Sequence, residues 1–232
     1  DQGIAVHSGV RVQSFKDSED SVTVTYLESE GGTAQLEVDY VMVATGRKPA
    51  TEGLGLENTS IETTERGAVV VDDHLRTTVP NIIALGDVNG GPQFTYISLD
   101  DYRVVLSQLV DEGTRSTKDR QAVAATIYMN PPLSSVGLTE GEALEAGYKI
   151  KVASKPVAAI AAMPRAKTLE NPRGIMKFVI DAQNDRILGA QLLVVESMEV
   201  INLVALAMCH GITASQLRDE IYTHPSITEG LN

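Results

Sequence analysis

Thr77-Thr78-Val79-Pro80-Asn81-Ile82-Ile83-Ala84-Leu85-Gly86-Asp87, with Val88-Asn89-Gly90-Gly91 behind it, is the most informative stretch of the chain. Residues 82–85 are a short apolar run with β-branched members, the length of a fully buried strand. The run ends in Gly86-Asp87 and a glycine-containing turn. Beyond the turn, Ile97, Leu99, Tyr102, Val105, Leu106, Leu109 and Val110 recur with Asp100, Asp101 and Arg103 between them, which predicts an amphipathic helix. Strand, glycine turn and helix is how an open α/β sheet builds a ligand crevice at the carboxyl ends of its strands. The helix N-terminus offers unpaired N–H groups and partial positive charge to an electron-rich ligand edge. An Asp at the strand's end can accept hydrogen bonds from ligand hydroxyls. The same residues also suit an edge turn after any buried strand, with Asp87 capping the helix.

Bulk properties narrow the function classes. A chain of 232 residues has room for one large domain or two small ones. Nineteen basic against thirty-one acidic side chains give a net charge of -12, which argues against a nucleic-acid or anionic-membrane surface. No apolar run approaches the ~18 residues of a membrane span, and no signal peptide opens the sequence. The single cysteine, Cys209, excludes an intrachain disulfide and fits a reducing cytoplasm. No metal site is assigned.

Residues 1–47 read as strands, with candidates at 9–12, 21–27 and 35–40 and a hairpin turn at Gly31-Gly32. Residues 40–45 are then a buried-strand run closed by Gly46-Arg47-Lys48-Pro49, where a glycine lets the backbone bend sharply or pass close to a ligand. Residues 50–76 are loop-rich, with a further strand candidate at 67–72. The polar stretch 111–121 is the best domain boundary. After it the pattern changes to α+β, with a short strand at 125–128 and a helix begun by Thr139 as N-cap with Glu142 three residues on, stopping at Gly147. Strands are predicted at 149–157, 175–181 and 187–194, the last two joined across Gln183-Asn184-Asp185. Residues 197–210 form a largely buried helix capped by Gly211, with Cys209 expected as a small core hydrophobe. Near the end, His224 and Glu229 stand five apart beyond Pro225, a spacing that lets the carboxylate fold back onto one ring nitrogen and leave the other for proton transfer. On spacing alone a surface pair is the commoner arrangement.

Together these stretches resemble the FAD-dependent pyridine nucleotide–disulfide oxidoreductases, the family of glutathione reductase, lipoamide dehydrogenase and mercuric reductase. Thr-x4-Ile-x-Ala-x-Gly-Asp from Thr77 to Asp87 is similar to that family's second flavin fingerprint. Val-Ala-Thr-Gly-Arg-Lys-Pro resembles its connector from the nicotinamide-nucleotide domain back to the flavin domain. Pro-Pro-Leu-Ser-Ser-Val-Gly-Leu-Thr-Glu, Gly174 to Lys177 and Leu188 to Ala190 resemble its interface domain, and His-Pro-x-x-x-Glu its catalytic dyad. Gly-Gly-Pro-Gln-Phe-Thr-Tyr-Ile-Ser-Leu-Asp-Asp-Tyr-Arg is most similar to bacterial members associated with defence against reactive chlorine species.

The resemblance implies an α/β piece of the FAD- and NAD(P)-binding domains followed by an α+β dimerisation domain. The implied spans are 1–47 for the nucleotide domain, 48–121 for the flavin domain and 122–232 for the interface domain. It implies FAD and NAD(P)H as cofactors and Gly46, Gly86, Asp87, Phe94 and Thr95 as cofactor-binding residues, with Asp87 on the ribityl chain. It also implies His224 and Glu229 as an acid/base dyad acting across a homodimer on a cysteine pair, with a disulfide or another oxidant as the final acceptor. This chain has neither that pair nor a Gly-x-Gly-x-x-Gly turn following a strand. The expectation is therefore a C-terminal piece of an enzyme about twice as long, inactive alone and without tight FAD binding. Two alternatives stand beside it: a non-catalytic dimerisation module derived from the family, and a flavin reductase lacking the cysteine pair. Residues 1–47 are expected to pair among themselves or with a neighbouring copy, and 122–232 to be the best-ordered part.

Overall fold

The computed structural model describes residues 3–110 and 112–232; residues 1 and 2 of the first expected unit, and Asp111 at the start of the expected linker, lie outside them. Strands β1 (Arg11–Asp17), β2 (Val22–Leu27) and β3 (Thr33–Val38) form an antiparallel sheet in the order β1-β2-β3. The β-branched alternation of β2 suits it to the centre, where Val24 faces Phe15 on one side and Leu36 on the other. Gly31 and Gly32 turn the chain with φ of 88° and 125°, a region that favours glycine. Only Tyr26 is buried in this sheet, and β1 is exposed throughout. Residues 40–45, read from the sequence as a buried strand, are not one: they pair with nothing among the described residues, and Tyr40 is 92% exposed. An apolar run becomes a strand only where a neighbouring edge offers its N–H and C=O groups, and none lies beside it.

The expected strands at 67–72 and 82–85 likewise reduce to single bridges, Thr63 with Val69 and Arg76 with Ile83. Ala68, Val69, Leu75 and Ala84 are nevertheless buried, so the run packs without joining a sheet. A one-turn 3₁₀ helix, Gly86–Asn89, leads to helix α1 (Thr95–Val110). The face α1 buries is not the apolar stripe read from its sequence. Ile97, Asp101, Val104 and Ser107 face inward, while Leu99, Tyr102, Leu106, Leu109 and Val110 are exposed. The carboxylate of Asp101 is fully engaged by hydrogen bonds and an ion pair, which holds that side of α1 against the turn.

The second sheet is the well-packed one. Its elements are β4 (Ala125–Ile127), β5 (Leu133–Gly137), helix α2 (Glu140–Glu145), β6 (Ile150–Pro156), helix α3 (Pro164–Thr168), β7 (Ile175–Asp181) and β8 (Ile187–Leu193). Helices α4 (Ser197–Cys209) and α5 (Ala214–Arg218) follow, and the strands lie in the antiparallel order β4-β5-β8-β7-β6. Helix α2 begins with the expected capping box: Thr139 Oγ1 accepts the Glu142 N–H, and the Glu142 carboxylate accepts the Thr139 N–H. Strand β5 was not foreseen as a strand. Val200, Ile201, Val204 and Ala207 of α4 pack into the core with Val136, Ala190 and Leu192 of the sheet. Ser134 and Ser197, both fully buried, share a hydrogen bond of 2.8 Å, and Ser197 Oγ donates to the Pro132 carbonyl at 3.0 Å.

Cys209 departs from expectation: it is exposed, with Sγ 3.5 Å from the Gln121 carbonyl oxygen. The buried stripe of α4 ends at Ala207, and two residues further a helix has turned through about 200°. Among the described residues, no helix is long and apolar enough to cross a membrane.

Candidate functional site

The Asp87 turn is built by glycines and held from behind by α1. Gly86 has φ 77° and Gly90 φ 76°, so both occupy the left-handed region. A β-carbon on Gly86 would stand 2.7 Å from Ser98 Oγ, and one on Gly90 2.7 Å from the Ala68 β-carbon. The turn therefore closes directly on the helix and on the loop beneath. The Gly86 N–H donates to Asp101 Oδ2 at 2.6 Å, and Asn89 Nδ2 donates to the same oxygen at 3.3 Å. Asp101 Oδ1 pairs with Arg120, whose Nε also donates to Asp100 Oδ2 at 2.7 Å. Arg115 takes the other Asp100 oxygen. Burial raises the pKa of Asp100, but the two guanidiniums outweigh it and hold the carboxyl below its ordinary value. Asp101 and Arg120 are the residues sequence reasoning missed. The available signal was an acidic doublet inside a helix whose neighbours are apolar.

Asp87 itself is exposed, and among the described residues its carboxylate accepts no hydrogen bond. Phe94 and Tyr96 flank Thr95, the first residue of α1, and their rings stack with centroids 4.9 Å apart at 11°. Tyr96 Oη donates to the Ala124 carbonyl at 2.7 Å, tying the first turn of α1 to the start of the second sheet. No acidic side chain stands in that first turn to compete for the helix N-terminus. A free carboxylate, a turn too tight for side chains and an uncontested helix start fit the ribityl and ring portions of a flavin. Gly46 adopts φ 103°, a conformation suited to glycine, but no described residue comes within 4 Å of where its side chain would stand. Nothing of the Asp87 turn packs on that side of it.

Between the start of α1 and helix α4 runs a cleft of about 730 Å³, lined in part by Phe94, Tyr96, Arg103, Tyr128 and Asn202, and also by Cys209.

The terminal loop brings His224 and Glu229 together. Glu229 Oε1 lies 2.9 Å from His224 Nδ1, and Oε2 accepts the Ser226 N–H at 2.8 Å. A carboxylate can only accept, so Nδ1 carries the proton and Nε2 is the nitrogen left over. Among the described residues Nε2 has no partner, and the ring is exposed. The Ser226 N–H and then the His224 ring hold the Glu229 carboxyl below its usual pKa, against a smaller effect of burial. The loop is anchored on both sides of Glu229, by Ile227 and by Leu231, each buried in the core of the second sheet. Gly230 lies against Met163 and Met176, where a β-carbon would approach their sulfurs to 2.9 and 3.1 Å. No hydrogen bond or ion pair joins this loop to the Asp87 turn among the described residues.

Comparison with known proteins follows the same two units. The pyridine nucleotide-disulphide oxidoreductase dimerisation domain matches residues 123–232, and the pyridine nucleotide-disulphide oxidoreductase domain matches residues 1–101. The probable pyridine nucleotide-disulfide oxidoreductase RclA of Escherichia coli strain K12 is 50% identical over 232 residues, 100% of this chain and 51% of its own length. Mercuric reductase of Staphylococcus aureus is 34% identical over 231 residues, 100% of this chain and 41% of its own. The solved structure of the HOCl-induced flavoprotein disulfide reductase RclA from Escherichia coli matches with a TM-score of 0.87 at 49% identity, covering 95% of this chain and 49% of that one. The chain spans about half the length of the curated relatives it matches.

Proposed function

The chain belongs to the pyridine nucleotide-disulfide oxidoreductase family, and from that membership we propose that it forms part of a homodimeric flavoprotein disulfide reductase. FAD, when bound, supplies two-electron transfer from NADH or NADPH toward a cysteine pair, which this sequence does not contain. Asp87 would accept hydrogen bonds from ribityl hydroxyls, with Gly86 keeping the backbone close. Phe94 and Thr95 would present the start of α1 to the ring. Residues 1–47 close a nucleotide-binding domain, 48–121 belong to the flavin domain, and 122–232 make the dimer. The setting is cytoplasmic.

The observation that carries the reading is the contact between His224 and Glu229. Glu229 fixes the ring so that Nε2 faces outward. From there His224 would take the proton of an attacking thiol and return it to the departing thiolate, across the dimer on the partner's cysteine pair. The 50% identity to RclA, a flavoprotein disulfide reductase described as HOCl-induced, favours a member that answers reactive chlorine oxidants, with a disulfide or another oxidant as the electron acceptor. A dimerisation module without chemistry would leave the free Asp87 carboxylate and the oriented histidine without a purpose. Alone, residues 1–232 would not turn over.

The test is purification of the full-length protein, its molar mass in solution and its visible spectrum before and after anaerobic NADH or NADPH. The expected result is a yellow dimer whose flavin band is bleached by one of the two nucleotides. A colourless protein, or a flavin that neither nucleotide reduces, overturns the reading.

A further inference from the structure

We propose that Asp101 is a positioning residue for the flavin site, holding the Asp87 turn in place and coupling it through Arg120 to the connector that leads into the second sheet. The inference rests on the flavin reading above and adds a residue to it. Asp101 is 1% exposed, so its carboxylate cannot touch a ligand. One oxygen takes the N–H of Gly86, the amide just before Asp87, together with the side chain of Asn89 two residues beyond. Asp87 is thus clamped on both sides by one buried carboxylate, while its own carboxylate stays free.

The second Asp101 oxygen is neutralised by Arg120, whose guanidinium bridges to Asp100 as well. A buried carboxylate without such a partner would be strongly unfavourable, so the clamp depends on Arg120. Arg120 sits between α1 and β4, on the same connector as Ala124, whose carbonyl takes the Tyr96 hydroxyl. The ion pairs of Arg115 and Arg120 with Asp100 and Asp101, and the neutral bond from Tyr96 to Ala124, therefore tie the start and middle of α1 to the chain segment that enters the second sheet. Gly86 lacks room for a β-carbon against Ser98, so the turn has little freedom to shift and re-form these bonds elsewhere.

The experiment is a double-substitution cycle in the full-length flavoprotein, read as the FAD dissociation constant from flavin fluorescence. The proteins compared are the parent, Asp101→Asn, Asp87→Asn, the double variant and Arg120→Lys. An Asn at 101 would turn an amide N–H₂ toward Arg120 or toward Gly86, setting donor against donor. Asp101→Asn should weaken FAD binding about tenfold, the size of one lost charge-assisted hydrogen bond. In the Asp87→Asn background the same change should weaken it less than about twofold, because the group being positioned is already gone. Arg120→Lys keeps the charge but loses the fork, and should weaken binding about threefold. It also carries the test if Asp101→Asn does not fold. FAD affinity within twofold of the parent for every Asp101 and Arg120 variant that folds overturns the inference, and so does full additivity with Asp87→Asn. A parent protein that binds no FAD overturns the flavin reading and the inference with it.

Discussion

Glu229 keeps its side chain 13% exposed beside a His224 ring that is 70% exposed, with Oε1 2.9 Å from Nδ1. Under the proposed acid/base reading the sheltered group orients and the open group reacts, so substitutions at the two positions should differ in kind. His224→Gln removes the ring and should slow the thiol–disulfide half-reaction of the proposed reductase by about 10²–10⁴-fold. Glu229→Gln keeps the ring but replaces its charged acceptor with a neutral amide, and should slow it less, by about tenfold. Rapid-reaction kinetics with pre-reduced enzyme would read both, with flavin content and flavin reduction by NAD(P)H unchanged. A His224→Gln protein as fast as the parent would remove His224 from the chemistry.

The depressed pKa of Glu229 has a stability consequence with a fixed sign. The Ser226 N–H and the His224 ring favour the ionised carboxylate, so its folded pKa lies below the value of about 4.3 for an unfolded chain. The stabilisation is fully present above about pH 4.3 and is lost as pH falls through the lower folded value. The parent should therefore lose thermal stability on acidification in that window more steeply than Glu229→Gln, which has no such proton to bind. Melting temperatures of both proteins from pH 6 down to pH 3 would check this. Parallel curves would show that the loop contacts of Glu229 do not contribute to folding.

The second sheet was largely legible because its signals were local. Thr139 and Glu142 announce a capped helix, and β7 and β8 are mostly apolar runs joined across the polar turn Gln183-Asn184-Asp185. The His224–Glu229 contact was expected from the family resemblance of His-Pro-x-x-x-Glu, since its five-residue spacing only permits the contact and suits a surface pair as well. What failed depended on neighbours. Residues 40–45 and 82–85 have strand composition, yet find no sheet edge to join among the described residues. The inward face of α1 was misread because hydrophobicity was weighed over ion pairing: Asp101 is buried by Gly86, Asn89 and Arg120, and Arg120 lies nineteen residues along the chain. Cys209 was misplaced for a simpler reason, since its position two residues past Ala207 already takes it off the buried stripe of α4.

The Leu188-Gly189-Ala190 segment shows why a glycine is required inside a strand. A β-carbon on Gly189 would collide with the backbone of Leu138, whose N–H donates to the Leu188 carbonyl at 2.9 Å. Backbone cannot yield as a side-chain tip can, so Gly189→Ala should cost on the order of 4 kcal/mol. Gly141 in α2 is the matched control, with no atom within 4 Å of where its β-carbon would stand. Gly141→Ala should stabilise by about 0.5–1 kcal/mol through its better helix propensity and a less flexible unfolded chain. Urea denaturation of the two variants beside the parent would test the pair. A Gly189→Ala protein as stable as the parent would mean that β5 and β8 can separate at this point without loss.

The two sheets should also open independently. In the first, β1 is exposed along its whole length and Tyr26 is the only buried side chain, so little apolar area is lost to water when it unfolds. In the second, β7 and β8 are inner strands, and Val179, Ala190 and Leu192 are fully buried beneath or between packed elements. Amide protection follows the free energy of the smallest opening that exposes the bond. In native-state hydrogen exchange on this chain, β2 and β3 amides should therefore exchange orders of magnitude faster than those of β7 and β8. Addition of denaturant should leave the first set almost unchanged and steepen the second, because only the second needs extensive unfolding. Equal protection in both sheets would require the β1-β2-β3 sheet to gain cover from another molecule, and dilution of the sample would then separate the two sets.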